Sequence, residues 1–186
     1  DFEIVRGKTF QHVLRWEAPP YLYKAITSIS QSAPVSIVTT FAHGLPEGWR
    51  VAIVSAKGMT QINAENSPPK TSDYRRATVV DTTTIELNDV NSSDYKAHTA
   101  STGFVQFLTP VDMTGFSARM KIKNKVGGTV LASTDAGDTP VDIIDITIST
   151  VTKTITLLIS ATDTAALAWS KGVYDLEMVS AGGIVT

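Results

Sequence analysis

Apolar and polar residues alternate with a period of two along most of this chain, the pattern of half-buried strands rather than of helices. Phe10, His12, Leu14 and Trp16 fall on one side of a first strand, and Gln11, Val13, Arg15 and Glu17 on the other. Ala18-Pro19-Pro20 is expected to end it, because proline cannot donate to a sheet ladder. The cleanest alternation runs from Phe116 to Lys123, with Phe116, Ala118, Met120 and Ile122 facing one way and Ser117, Arg119, Lys121 and Lys123 the other. The same period marks Ile144, Ile146 and Ile148, then Ile155, Leu157 and Ile159, then Tyr174, Leu176 and Met178. Gly127-Gly128 signals a hairpin before Thr129-Val130-Leu131. One short helical turn is expected over 163–167, capped by Ser160 or Thr162 and closed by Lys171-Gly172. Strands at this spacing suit a sandwich.

A self-contained stretch interrupts this pattern, which starts over 5–16 and resumes only over 110–123. Inside it, Val35, Ile37 and Thr39, then Trp49, Val51 and Ile53, then Ile85 and Leu87 keep the strand period. Pro34, Gly44-Leu45-Pro46, Gly58 and Ser67-Pro68-Pro69 supply its turns, and the segment from Pro68 to Asp73 reads as a mobile loop. The chain is therefore expected to hold two small β modules, one inserted in the other. Residues 1–24 plus 108–186 form the host and 25–107 the insert, with the junctions at Lys24 and Leu108 close in space.

Composition narrows the function classes. The 186 residues, 42% hydrophobic and 18% charged, describe a folded chain with room for two shallow cores. A net charge of -2 offers no overall basic field for nucleic acid or anionic lipid. The lack of cysteine removes disulfides, thiolate metal sites and a cysteine nucleophile together. No apolar run is long enough for a membrane span, and the first residues do not resemble a signal peptide. The last residues, Gly182-Gly183-Ile184-Val185-Thr186, follow a hairpin signal, and more chain is expected after them.

Particular motifs then carry two resemblances. Thr40-Phe41-Ala42-His43-Gly44-Leu45-Pro46-Glu47-Gly48, Gly58-Met59-Thr60 and Ser92-Ser93-Asp94-Tyr95 resemble the small β-barrel family named after the first catalytic cysteine half-domain of ubiquitin-activating enzymes, whose modules recur in phage tail and tail-fibre proteins. The chain departs from that pattern between Asn63 and Val79, where Pro68-Pro69 and Arg75-Arg76 replace a shorter stretch. The flanks resemble the immunoglobulin-like N-terminal domain of phage tail and upper-baseplate proteins. Arg6-Gly7-Lys8-Thr9-Phe10, the 112–122 stretch, Gly127-Gly128-Thr129-Val130-Leu131, the 160–167 stretch and the 172–177 stretch carry that second match. Together they imply an all-β fold, an immunoglobulin-like β-sandwich with an inserted small β-barrel. They also imply a virion tail component, assembled in the host cytoplasm.

No catalytic, cofactor or metal constellation stands out. His43 is expected to bond to backbone within its turn, His12 to lie on the apolar strand face, and His98 has no partner at ligand spacing. Asp89 to Asp94 begins like a calcium loop but lacks the glycine and glutamate that such loops use. Asp135, Asp138, Asp142 and Asp145 read as a solvated acidic loop. Arg119, Lys121, Lys123 and Lys125 form a basic stripe at a spacing of two, either a guard against edge aggregation or a contact for another subunit. The stripe has no interleaved aromatic residues for nucleic-acid stacking. Tyr21 and Tyr23 are candidate interface anchors, whereas Trp16 and Trp49 are assigned to cores.

The expectation is a non-enzymatic part of a phage tail tip or baseplate that assembles with copies of itself and with other tail proteins. Its rival is the virion-anchoring region of a tailspike or tail fibre involved in receptor binding, with host-surface glycan as a partner. A carbohydrate-binding module, which requires exposed aromatic rings, is the reading from another class.

Overall fold

The computed structural model describes residues 2–135 and 143–186, and they form an all-β protein. It divides into two compact units, Asp1–Trp16 with Asp112–Thr186, and Glu17–Val111. The first strand, β1 (Phe10–Arg15), belongs to the discontinuous unit; the chain then runs through the whole of the second before returning.

The continuous unit is a closed antiparallel barrel of six strands: β2 (Glu17–Ile29), β3 (Val35–Thr39), β4 (Arg50–Val54), β5 (Arg75–Val79), β6 (Thr84–Leu87) and β7 (Phe104–Pro110). Its order is β2-β3-β6-β5-β4-β7, with β7 pairing back onto β2. Alternate residues point inward, so Ile26, Val35, Ile37, Val51, Ile53, Ile85, Leu87, Val105 and Phe107 are buried in one cluster around Trp49 and Met59. Closure leaves no free sheet edge.

Pro19 and Pro20 do not end a strand. The break falls at Trp16, and both prolines lie within β2, where the pairing with β7 shifts register between Ala18 and Tyr21. At such an irregularity the missing N–H costs no ladder bond, and the Pro20 carbonyl instead accepts from Thr109 Oγ1 at 2.8 Å. Because β2 and β7 pair from Glu17 opposite Pro110 onward, the units divide at 16/17 and 111/112 rather than at 24/25 and 107/108. Lys24 and Leu108 sit on these two paired strands, opposite Val105 and Tyr21 respectively.

Polar turns hold the barrel's ends. His43, 2% exposed, accepts from the Leu45 N–H at Nδ1 (2.9 Å), which leaves Nε2 to donate to the Asp81 carbonyl at 2.8 Å. In the β5–β6 hairpin, Asp81 Oδ1 accepts from the N–H groups of Thr83 (2.7 Å) and Thr84 (2.8 Å) and from Thr83 Oγ1 (3.1 Å). The Thr83 N–H, first among these donors, holds the Asp81 carboxyl below its ordinary value of 3.8. A depressed carboxyl contributes stability above its unfolded value and loses it as pH falls through the lower folded one. Urea midpoints measured from pH 5 downward are therefore expected to fall below about pH 4. The fall should be shallower in Asp81→Asn; identical slopes would contradict the assignment.

The Pro68–Asp73 segment, expected to be mobile, is organised around one carboxylate. Asp73 accepts from the N–H groups of Lys70 (2.7 Å) and Glu65 (3.2 Å) and from Asn66 Nδ2 (3.0 Å).

The discontinuous unit adds β8 (Ser117–Lys123), β9 (Val130–Ser133), β10 (Asp145–Ser149), β11 (Thr154–Ile159), α1 (Ala161–Ala166) and β12 (Val173–Val179). Two three-stranded sheets, β1-β11-β10 and β12-β8-β9, share a core of Met113, Met120, Ile122, Ala132, Ile144, Ile155, Leu157, Ile159 and Met178. Trp16 packs on it edge-to-face with Phe116, ring centroids 5.7 Å apart. The helix starts at Ala161 rather than Asp163, capped by Ser160, one of the two expected caps, whose Oγ accepts from the Asp163 N–H at 3.1 Å.

Candidate functional site

Two surfaces gather the candidate residues. On the outer face of β8, the basic stripe meets carboxylates that no local pattern announces. Pairing with β12 sets Glu177 opposite Arg119 and Asp175 opposite Lys121. Arg119 Nε contacts Glu177 Oε2 at 2.5 Å, and Lys121 Nζ contacts Asp135 Oδ2 at 3.0 Å. Arg119, Lys121 and Lys123 thus share one shallow dip with Asp135, Asp175 and Glu177, three cations against three anions. Lys125 leaves the stripe: β8 ends at Lys123, and the Lys125 carbonyl closes the following turn by accepting from the Gly128 N–H at 2.9 Å. The face is charge-balanced, and its exposed pairs contribute little stability each. Of the acidic cluster, Asp135 pairs with Lys121 and Asp145 opens β10, while Asp138 and Asp142 lie outside the described residues.

The second surface is the outer wall of the barrel where β2, β7 and β4 lie side by side. Alternation turns Tyr21 and Tyr23 of β2, Phe104 and Gln106 of β7, and Arg50 and Ala52 of β4 away from the core. The 63–74 segment covers part of this wall, which is why Ala52 and Gln106 are 1% and 3% exposed although they face outward. Tyr21 and Tyr23 remain 41% and 54% exposed.

A polar chain crosses the wall. Arg50 donates twice to Glu17, Nε to Oε1 at 3.0 Å and Nη2 to Oε2 at 2.6 Å, and this carboxylate raises the guanidinium above its usual value. The Arg50 guanidinium carbon stands 6.0 Å from the centre of the Tyr74 ring. The Tyr74 hydroxyl accepts from Gln106 Nε2 at 3.4 Å. Burial, followed by the influence of the nearby Tyr21 phenol, pushes the Tyr74 phenol up to about 12. Its neutral form is favoured in the folded barrel, a contribution complete below about pH 10 and lost as pH climbs towards the folded value. In a spectrophotometric titration, the component removed by Tyr74→Phe is expected near pH 12. A component removed near pH 10, the ordinary tyrosine value, would contradict this environment.

The remaining candidates occupy structural positions. Trp49 is fully buried and donates Nε1–H to the Leu108 carbonyl at 3.0 Å. The His12 ring packs among aromatic rings, 5.7 Å from Phe2 and 6.2 Å from Phe10. His98 bonds through Nε2 to the Thr102 carbonyl at 3.0 Å. Ser92, inside the oxygen-rich 89–94 stretch, is buried and donates to the carbonyls of Ser30 (2.7 Å) and Ser32 (3.0 Å). No group of three or more potential metal ligands occurs among the described residues, and none of their helices is long and apolar enough to cross a membrane.

Sequence reasoning singled out the two tyrosines as candidate anchors and did not single out Gln106, Tyr74 or the Arg50–Glu17 pair. Glutamine in a strand is an ordinary surface residue until a distant loop covers it. No protein-family model matches the chain, and no curated protein matches it.

Proposed function

We propose that this chain is a structural component of a bacteriophage tail, at the tail tip or baseplate, acting through shape and surface rather than bond chemistry. The observation that supports this reading is where the motif residues sit. His43 and Met59 are buried, and Gly44, Gly48 and Gly58 hold φ of +69°, +67° and +75°. The residues that carry the resemblance are therefore the ones that build the barrel's turns and core, as expected of a module kept for its architecture. The charge-balanced β8–β12 face and the exposed tyrosines supply surfaces for copies of the chain in a symmetric oligomer and for neighbouring tail proteins.

Immunogold electron microscopy tests it, with an antibody against this chain applied to purified particles that encode it. Label at the tail tip or baseplate is the expected result. Chain that is abundant in the lysate and missing from the particles overturns the proposal.

A further inference from the structure

We infer that the groove on the barrel's outer wall, between β2–β7 and the 63–74 segment, is a binding site for a neutral oligosaccharide. The inference concerns the barrel by itself and does not depend on the tail-component reading. The groove measures about 590 Å³, inside the range of roughly 300–1,000 Å³ typical of ligand sites. Tyr21, Tyr23 and Gln106 line one side, and Asn66, Ser67 and Pro68 the other.

Three properties select the ligand class. No charged side chain lines the groove, so an anionic or cationic ligand would lose hydration there without a counter-charge. One aromatic ring is held before any ligand arrives: Tyr23 stands edge-on to Phe104, 6.3 Å between centroids at 88°. Gln106, 3% exposed, spends its Nε2 on one long bond of 3.4 Å to Tyr74, a weak hold on an amide that lines the groove. A sugar offers what such a site takes, an apolar C–H face for a ring and hydroxyls that both donate and accept. A proline-rich peptide fits less well, because it offers few donors to an amide floor and would meet a wall that is itself Pro68-Pro69.

The test is an amide-resolved NMR titration of the whole chain with maltotriose, β-1,4-galactotriose, tri-N-acetylchitotriose and a decaproline peptide in turn. At least one trisaccharide is expected to give saturable shifts at Tyr23, Asn66 and Gln106. Tyr23→Ala, a change at a half-exposed position, should weaken that binding at least about tenfold, while Tyr23→Phe keeps it and both variants retain the parent spectrum away from the groove. Lack of saturation with all three sugars overturns the inference, as does undiminished binding by Tyr23→Ala. Saturation by decaproline alone would make the groove a peptide site.

Discussion

Replacing Trp49 by alanine is expected to destabilise the barrel by about 3–5 kcal/mol, the range for removing a large aromatic side chain from a packed core. Trp49 is fully buried among residues contributed by every barrel strand, and its indole N–H is bonded to the Leu108 carbonyl at 3.0 Å. The truncation opens a void and also leaves that carbonyl without its donor. Trp49→Phe separates the two effects. It keeps most of the apolar volume and forfeits the bond, for about 1–3 kcal/mol. Urea titration followed by circular dichroism, with hydrogen exchange at the paired Ile37 and Ile85 amides, reads both values. An alanine variant as stable as the parent would contradict the placement of Trp49 in the core.

Gly58→Ala is expected to cost at least about 2 kcal/mol, although it adds a single methyl group. The residue sits at φ +75°, where a side chain crowds its own backbone. A Cβ there would also overlap the Ala97 carbonyl oxygen and come within 2.8 Å of the Thr99 nitrogen. Neither neighbour can give way easily, since the Thr99 N–H is bonded to the Lys57 carbonyl at 2.9 Å. Gly44 is the internal control: it too has positive φ, +69°, but nothing lies within 4 Å of its Cβ direction. Gly44→Ala should therefore carry the backbone cost alone and shift the urea midpoint less than Gly58→Ala. Equal shifts would show that the 97–99 segment does not press on Gly58.

What could be read from the chain follows from how local each signal is. The β8 strand was legible because one face is buried and the other wet, so every second residue changes character. The β7 strand was not: Phe104 and Leu108 face outward yet are apolar, and polar Gln106 lies under the 63–74 segment, so the alternation disappears. The β5 strand presents only Ala77 to the core as a buried residue between arginines and a threonine, too little apolar surface to mark a strand. The prolines of β2 hid the barrel's first strand for a related reason, since a register irregularity is visible only once the partner strand is known. The charge balance of the β8–β12 face was likewise out of reach. The stripe is local, whereas Glu177 and Asp175 reach it through a pairing of distant segments.

The pairing of Glu17 with Pro110 has a consequence for the order of folding. The first strand of the discontinuous unit is separated from its later strands by the whole of Glu17–Val111. In an open chain, joining them would mean closing a loop of that length, at an entropic cost on the order of 4 kcal/mol. A barrel that folds first has already closed it, because its entering and leaving strands are hydrogen-bonded side by side at the ends where they connect to the rest of the chain. It then works as a clasp, turning a long-range encounter into a short-range one. Pulse-labelled hydrogen exchange during refolding tests that order: β3 and β6 amides should become protected before those of β1 and β11, and the reverse sequence would remove the clasp.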